Sequence, residues 1–191
     1  MWKVVVLIAI ITICGCVKEQ ADTKFAEVSF NIDRALLEEE VVFSELGISF
    51  NPPKGWESTS PNLLDSLKAS FEFQNELPDL DIELNNAIMN LEKSFVCFVW
   101  IIKSDLLAED IQNNYLDYFR NTNPDLQLNK GAFAHNKMDF RQITFVKDDF
   151  ITIKLLTSSD DENVFMLDYV LPTRNYEEEL RSIESSIGSI K

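Results

Sequence analysis

The apolar positions change rhythm several times along the chain, and each rhythm predicts a different element. Val4 to Ile13 (VVVLIAIITI) is an almost unbroken apolar run. Val28-Ser-Phe-Asn-Ile32 alternates like a strand, while Ala35-Leu-Leu-Glu-Glu-Glu40 suits a short helix. Val41-Val-Phe43 and Gly47-Ile-Ser-Phe50 are β-prone. Asn51-Pro-Pro-Lys-Gly-Trp56 then breaks the run into a turn, because Pro52 and Pro53 cannot donate ladder hydrogen bonds and Gly55 is permissive. Trp56 to Thr59 reads as the strand returning from that turn. Ser60 and Pro61 suit the cap and first turn of a helix. Leu63, Leu64, Leu67 and Phe71 give that helix an apolar face ending near Phe73.

Residues 75–92 are ambiguous. Leu80, Ile82 and Leu84 alternate with Asp79, Asp81 and Glu83, but Asn85 to Leu91 fits a helix equally, so the stretch reads as an insertion of open form. Phe95 to Ile102 is apolar on both faces, which suits a central strand. Ser104-Asp105 is placed as the cap of a helix running to about Arg120, stopped by Asn121-Thr-Asn-Pro124. Four antiparallel strands follow, at Leu126–Phe133, Met138–Lys147, Phe150–Ser158 and Asn163–Leu171, with polar turns at 134–137, 147–149 and 159–162. Finally, Asn175 caps a helix whose stripe is Tyr176, Leu180, Ile183, Ile187 and Ile190. Glu177 to Glu179 sit off that stripe, where early acidic residues complement the helix dipole.

Composition narrows the class. A hydrophobic content of 46% with 14 Phe is ample for a core, and only 5 Gly argue against disorder. A formal net charge of −15 disfavours nucleic-acid partners, since neutralising phosphates needs clustered Lys and Arg. The same charge repels anionic headgroups and leaves protein partners open. Residues 28–191 read as one α+β domain.

The first apolar run is too short to span a bilayer. Its ten residues (VVVLIAIITI) would cover roughly 15 Å as a helix, against a hydrocarbon core of about 30 Å. A secretory signal, residues 1–15, fits instead. Ile13-Cys14-Gly15-Cys16 resembles the lipobox of bacterial lipoproteins, with Cys14 where the pattern more often has Ala, Ser or Thr. The resemblance implies cleavage between Gly15 and Cys16 and lipid on the Cys16 thiol. An ordinary signal peptide ending near two cysteines is the plainer alternative. Since one acyl chain binds only marginally, stable attachment needs two or more. The expectation is a lipidated tether over residues 16–27, holding the domain at the cell envelope. Val17 after the cysteine favours the outer membrane in a Gram-negative cell.

The element order, with Gly47-Ile-Ser-Phe-Asn-Pro-Pro-Lys-Gly-Trp56, Asp168-Tyr-Val-Leu-Pro172 and Ile183-Glu-Ser-Ser-Ile-Gly-Ser-Ile190, resembles the PsbP/Mog1-like family over about residues 41–191. That resemblance implies an antiparallel β-sheet packed between helices, an α/β/α sandwich closed by a C-terminal amphipathic helix. Characterised members act mostly by binding proteins, which implies a binding module for this chain.

The chemistry in the sequence is sparse. Cys14 leaves with the signal and Cys16 is blocked by lipid, so Cys97 has no disulfide partner. Its apolar setting, Ser94 to Ile102, makes it a small buried hydrophobe. His135 is the only histidine and is expected to be an exposed turn residue, which leaves no zinc site. Asp79, Asp81 and Glu83 would share one face of a strand, making them weak candidates for Ca²⁺ or acid/base work. Asp160-Asp161-Glu162 is similar. Phosphate-binding glycine motifs are absent, and no cofactor is expected. Trp56 and Trp100 could line a sugar or peptide groove, but both are expected in the core. Two functions follow: a non-catalytic envelope lipoprotein that binds a protein partner, or a carboxylate hydrolase acting on glycans. A concave pocket with two carboxyls facing each other would favour the second, and a filled sheet face the first.

Overall fold

In the computed structural model, which describes residues 25–71, 80–159 and 163–191, the long apolar alternations pair into one antiparallel sheet. A hairpin of β1 (Val41–Phe43) and β2 (Ile48–Phe50) comes first. The sheet strands are β3 (Glu57–Ser58), β4 (Asp81–Asn90), β5 (Phe95–Lys103), β6 (Asn129–His135), β7 (Met138–Lys147), β8 (Phe150–Ser158) and β9 (Val164–Pro172). The helices are α1 (Pro61–Phe71), α2 (Ala108–Thr122) and α3 (Tyr176–Gly188). Across the sheet the order is β3-β4-β5-β9-β8-β7-β6. The fold is the expected α+β sandwich.

Period-two alternation sorts the central strands onto two faces. Phe95, Cys97 and Val99 of β5, Ile153 and Leu155 of β8, and Phe165, Leu167 and Tyr169 of β9 form the main core with Ile183 and Ile187 of α3. Trp56, Phe43 and Phe50 close it from the hairpin side. On the other face, Ile102, Leu156, Val164 and Met166 pack against Ile111 and Tyr115 of α2. Because β8 and β9 are buried on both faces, they read as near-continuous apolar runs.

Serines let α3 lie close to the sheet and loops. Ser186 Oγ meets the Tyr169 hydroxyl at 3.0 Å, Ser185 Oγ accepts from Asp33 N, and Ser189 Oγ accepts from Asn51 N. The chain end is tied down too, with Lys191 and Ser49 exchanging backbone bonds of 2.8 and 3.0 Å.

Three local expectations need correction, and the stretch left open resolves. First, Glu57–Ser58 does not return onto the β1–β2 hairpin; it pairs with β4 at the sheet edge. The hairpin instead turns at Gly47 (φ 67°), and Pro53 bridges to Leu37. The open stretch, residues 81–90, is a strand carrying a bulge between Leu84 and Asn86. Before the bulge Leu84 opposes Trp100; after it Asn86 opposes Val99, so the even positions change faces. That parity switch hides the strand behind a helix-like pattern. Second, α2 begins at Ala108, because Ser104 Oγ accepts from Leu106 N and closes a local turn instead of capping the helix. Third, Glu179 turns inward to Lys93 (2.7 Å) and Ser182.

Two hairpins turn on non-glycine residues with positive φ: Asn136 (48°) and Lys137 (67°), then Asp148 (50°) and Asp149 (65°). Two-residue hairpin turns favour this hand, but a Cβ in the left-handed region costs about 1–2 kcal/mol. Replacing Lys137 by Gly should relieve that strain, less the extra freedom Gly gives the unfolded chain. The expected net gain is about 0.5–1 kcal/mol, read as a higher urea midpoint with an unchanged slope.

Candidate functional site

The face under α2 is not fully covered. Between the C-terminal half of α2 and the end of α1 the sheet floors a cavity of about 480 Å³. Cross-strand register explains its floor: Phe98 opposes Asp168, Asp168 opposes Lys154, and Trp100 opposes Met166. Tyr115, Tyr118 and Phe119 of α2 form one wall, and Phe71 at the end of α1 the opposite one. Phe71 sits edge-on to both Phe98 and Trp100, at 5.4 and 5.1 Å between centroids.

At the bottom lies a buried ion pair. Lys154 Nζ donates to Asp168 Oδ2 at 2.6 Å, and the side chains are only 7% and 9% exposed. Trp100 Nε1 donates to the same oxygen at 3.1 Å. The ammonium also lies over the rings of Tyr115 (5.6 Å) and Phe119 (5.5 Å). Asp168 Oδ1 is buried with no hydrogen-bond partner among the described residues. Burial pushes the Asp168 carboxyl above its ordinary range, against the pull of Lys154 and Trp100. Burial also pulls Lys154 downward, but Asp168 and Tyr115 outweigh it and hold the ammonium above its ordinary value.

The residues singled out from sequence mostly lie elsewhere. Gly15, Cys16, Asp79 and Asp160-Asp161-Glu162 fall outside the described residues. Asp81 and Glu83 are exposed on β4, and Glu83 pairs with Lys103 at 2.6 Å. Among the described residues no group of His, Cys, Asp and Glu converges as metal ligands would. Cys97 is buried in the core, where desolvation pushes its thiol well above the ordinary range. Trp56 is core, between the Phe95 and Tyr169 rings. Trp100, expected in the core as well, is half-buried and lines the cavity.

His135 corrects the expectation of an exposed turn. It is the last residue of β6 and only 8% exposed, with Nδ1 3.0 Å from Val28 O and Nε2 2.9 Å from Gly188 O. The reason is the N-terminal segment, in which Ala26 and Val28 bond to Ala134 and Phe30 lies edge-on to the ring. The histidine therefore joins the N-terminal segment to α3.

Lys154 and Asp168 escaped the motif reading because neither belongs to a motif. Their signal was available: a single charge at the centre of each of two strands otherwise uncharged and largely apolar. Such charges are almost never fully buried unless paired.

No protein-family model matches the chain, and no curated protein matches it in sequence. Its structure is similar to the solution structure of cyanobacterial PsbP (CyanoP) from Synechocystis sp. PCC 6803. The TM-score is 0.50 at 12% identity, covering 86% of this chain and 96% of that one. The fold is PsbP-like.

Proposed function

Starting from this PsbP-like fold, we propose that the chain is a lipid-anchored envelope protein whose domain is a non-catalytic binding module, an accessory to an envelope complex. The cavity carries the reading. Among the described residues Asp168 is the only carboxylate lining it, and it is already engaged by Lys154 and Trp100. A glycan hydrolase needs two carboxyls flanking the bond, about 5–10 Å apart. Here the polar pair holds its own charge balance inside aromatic walls, an arrangement suited to binding.

The anchor rests on Ile13-Cys14-Gly15-Cys16, with cleavage after Gly15 and lipid on Cys16. Lipid is the expected means of holding so acidic a domain at a membrane, the outer membrane in a Gram-negative cell. Cys16→Ala should move the protein from the membrane to the soluble fraction on centrifugation, and a variant that stayed with the membrane would remove the anchor. In-cell crosslinking with mass spectrometry tests the binding reading. One reproducible envelope partner, recovered reciprocally from either side, is the expected result; its absence would count against an accessory role.

A further inference from the structure

We propose that the cavity between α1 and α2 binds an uncharged, planar ring compound, held by ring stacking and apolar contact without a hydrogen bond to the cavity floor. This names a ligand class for the site above and rests on the binding-module reading.

Open ring surface is the first observation. Phe71, Phe98, Trp100, Tyr118, Phe119 and Phe145 all line the cavity, and each is only half-buried. The main core treats its rings differently: Trp56, Phe95 and Tyr169 are at most 2% exposed there. Apolar surface gathered in one hollow and left open on a folded domain marks a place where something binds. The volume of about 480 Å³ lies within the usual span of about 300–1,000 Å³ for ligand pockets. The rings also set the shape. They take another flat ring edge-on or offset-stacked, and such pairs gain beyond their buried area. A flexible aliphatic chain has no such extra gain and loses conformational freedom on binding.

The polar groups of the cavity set the second limit, because they are spent within the protein. Lys154 Nζ and Trp100 Nε1 both donate to Asp168 Oδ2. Thr122 Oγ1 donates to Tyr118 O at 2.8 Å, and Asn123 Nδ2 to Phe119 O at 2.9 Å. Asp168 Oδ1 is sealed from solvent and offers a ligand nothing. A strongly polar ligand would therefore give up its water for few bonds in return. Charge is disfavoured by the same floor. Lys154 and Asp168 balance each other at 2.6 Å, so a bound ion would find no counter-charge to offset its desolvation.

The test titrates the full chain carrying Cys16→Ala, so that no detergent competes for the cavity. The ligands are naphthalene, 2-naphthoate, 2-naphthylmethylammonium and n-octanol, followed by NMR. Naphthalene in the cavity should shift the Trp100 indole N–H by its ring current and give NOEs to the Phe98 and Trp100 rings. The expected result is naphthalene at least tenfold tighter than either ion and several-fold tighter than octanol. Val170→Trp, which adds an indole at a half-buried position lining the cavity, should weaken naphthalene at least tenfold. An ion or octanol binding as tightly as naphthalene overturns the proposal, as does no binding by any of the four. Undiminished binding by folded Val170→Trp overturns it too. Should that variant fail to fold, the NOEs decide: naphthalene contacts confined to residues outside the cavity remove the site. The binding-module reading is judged separately by the crosslinks: if they persist while every ligand fails, only the ligand class falls.

Discussion

Asp168→Asn is expected to lower the unfolding free energy by about 3–5 kcal/mol, because it strands the Lys154 ammonium in a buried site. Against a total of roughly 5–15 kcal/mol for a domain, that is a large fraction. The double variant Lys154→Met/Asp168→Leu should instead lie within about 1 kcal/mol of the original, since apolar replacement of a buried pair is often neutral or better. The direction of the Asp168 shift supports this: burial raises the carboxyl even with Lys154 at 2.6 Å, so desolvation outweighs attraction on that side of the pair. One offsetting loss is the Trp100 indole N–H, left without its acceptor at a half-buried position. Urea unfolding of the original chain, Lys154→Met, Asp168→Leu and the double variant gives the coupling energy directly. Equal losses in the single and double variants would mean that packing at 168, and not the stranded charge, sets the cost.

Alkaline titration adds a sign. In the native chain Lys154 is held above its ordinary value, so its contribution is full below the lysine reference of about 10.4. That contribution is lost as pH climbs through the folded value. Without Asp168 the leading influence left is burial, which pulls Lys154 down. Asp168→Asn should therefore gain stability as pH rises through the depressed value, the opposite slope. The double variant should show neither.

The strands that were legible in sequence are those with undisturbed alternation. β7 and β8 run over the expected residues, and β9 differs by one at each end. Where local chemistry competes with periodicity, legibility fails. A single bulged residue in β4 moved Ile88 to the opposite face from Leu84, and a period-two signal cannot survive a change of parity. Ser104 looked like a cap because serine favours both caps and turns, and only the chain's path decides between them. The site was illegible for a different reason. Its polar half comes from β8 and β9, fourteen positions apart, and becomes a pair only through their register. Its aromatic half is supplied by α2, Phe71 and the Phe98–Trp100 side of β5, residues any core could use. His135 misled because its turn position, read alone, implied solvent; the segment that buries it lies far back in the chain.

Gly188→Ala is expected to destabilise by about 1–3 kcal/mol although helix propensity argues the other way. Alanine gains up to about 1 kcal/mol over glycine in a helix interior, and less at the last helical residue. The added methyl, however, would lie 2.4 Å from Phe30 Cβ, 3.0 Å from its Cγ and 3.1 Å from Ile32 Cγ1. A Cβ cannot rotate away as a side-chain end can, so the backbone of the N-terminal segment must shift. Overpacking of this kind costs typically 1–3 kcal/mol, and it exceeds what propensity returns. The shift should also reach His135, because Phe30 lies edge-on to its ring at 4.9 Å and the Gly188 carbonyl faces Nε2. Amide exchange should therefore rise first at Val28 and Ala134, whose backbone bonds seal that edge. A Phe30→Gly background supplies the control by removing the two nearest carbons and leaving only Ile32 Cγ1 at 3.1 Å. There the penalty of Gly188→Ala should shrink or reverse, a coupling that a double-mutant cycle reads directly. An undiminished penalty in that background would place the strain within α3 itself and detach it from the N-terminal segment.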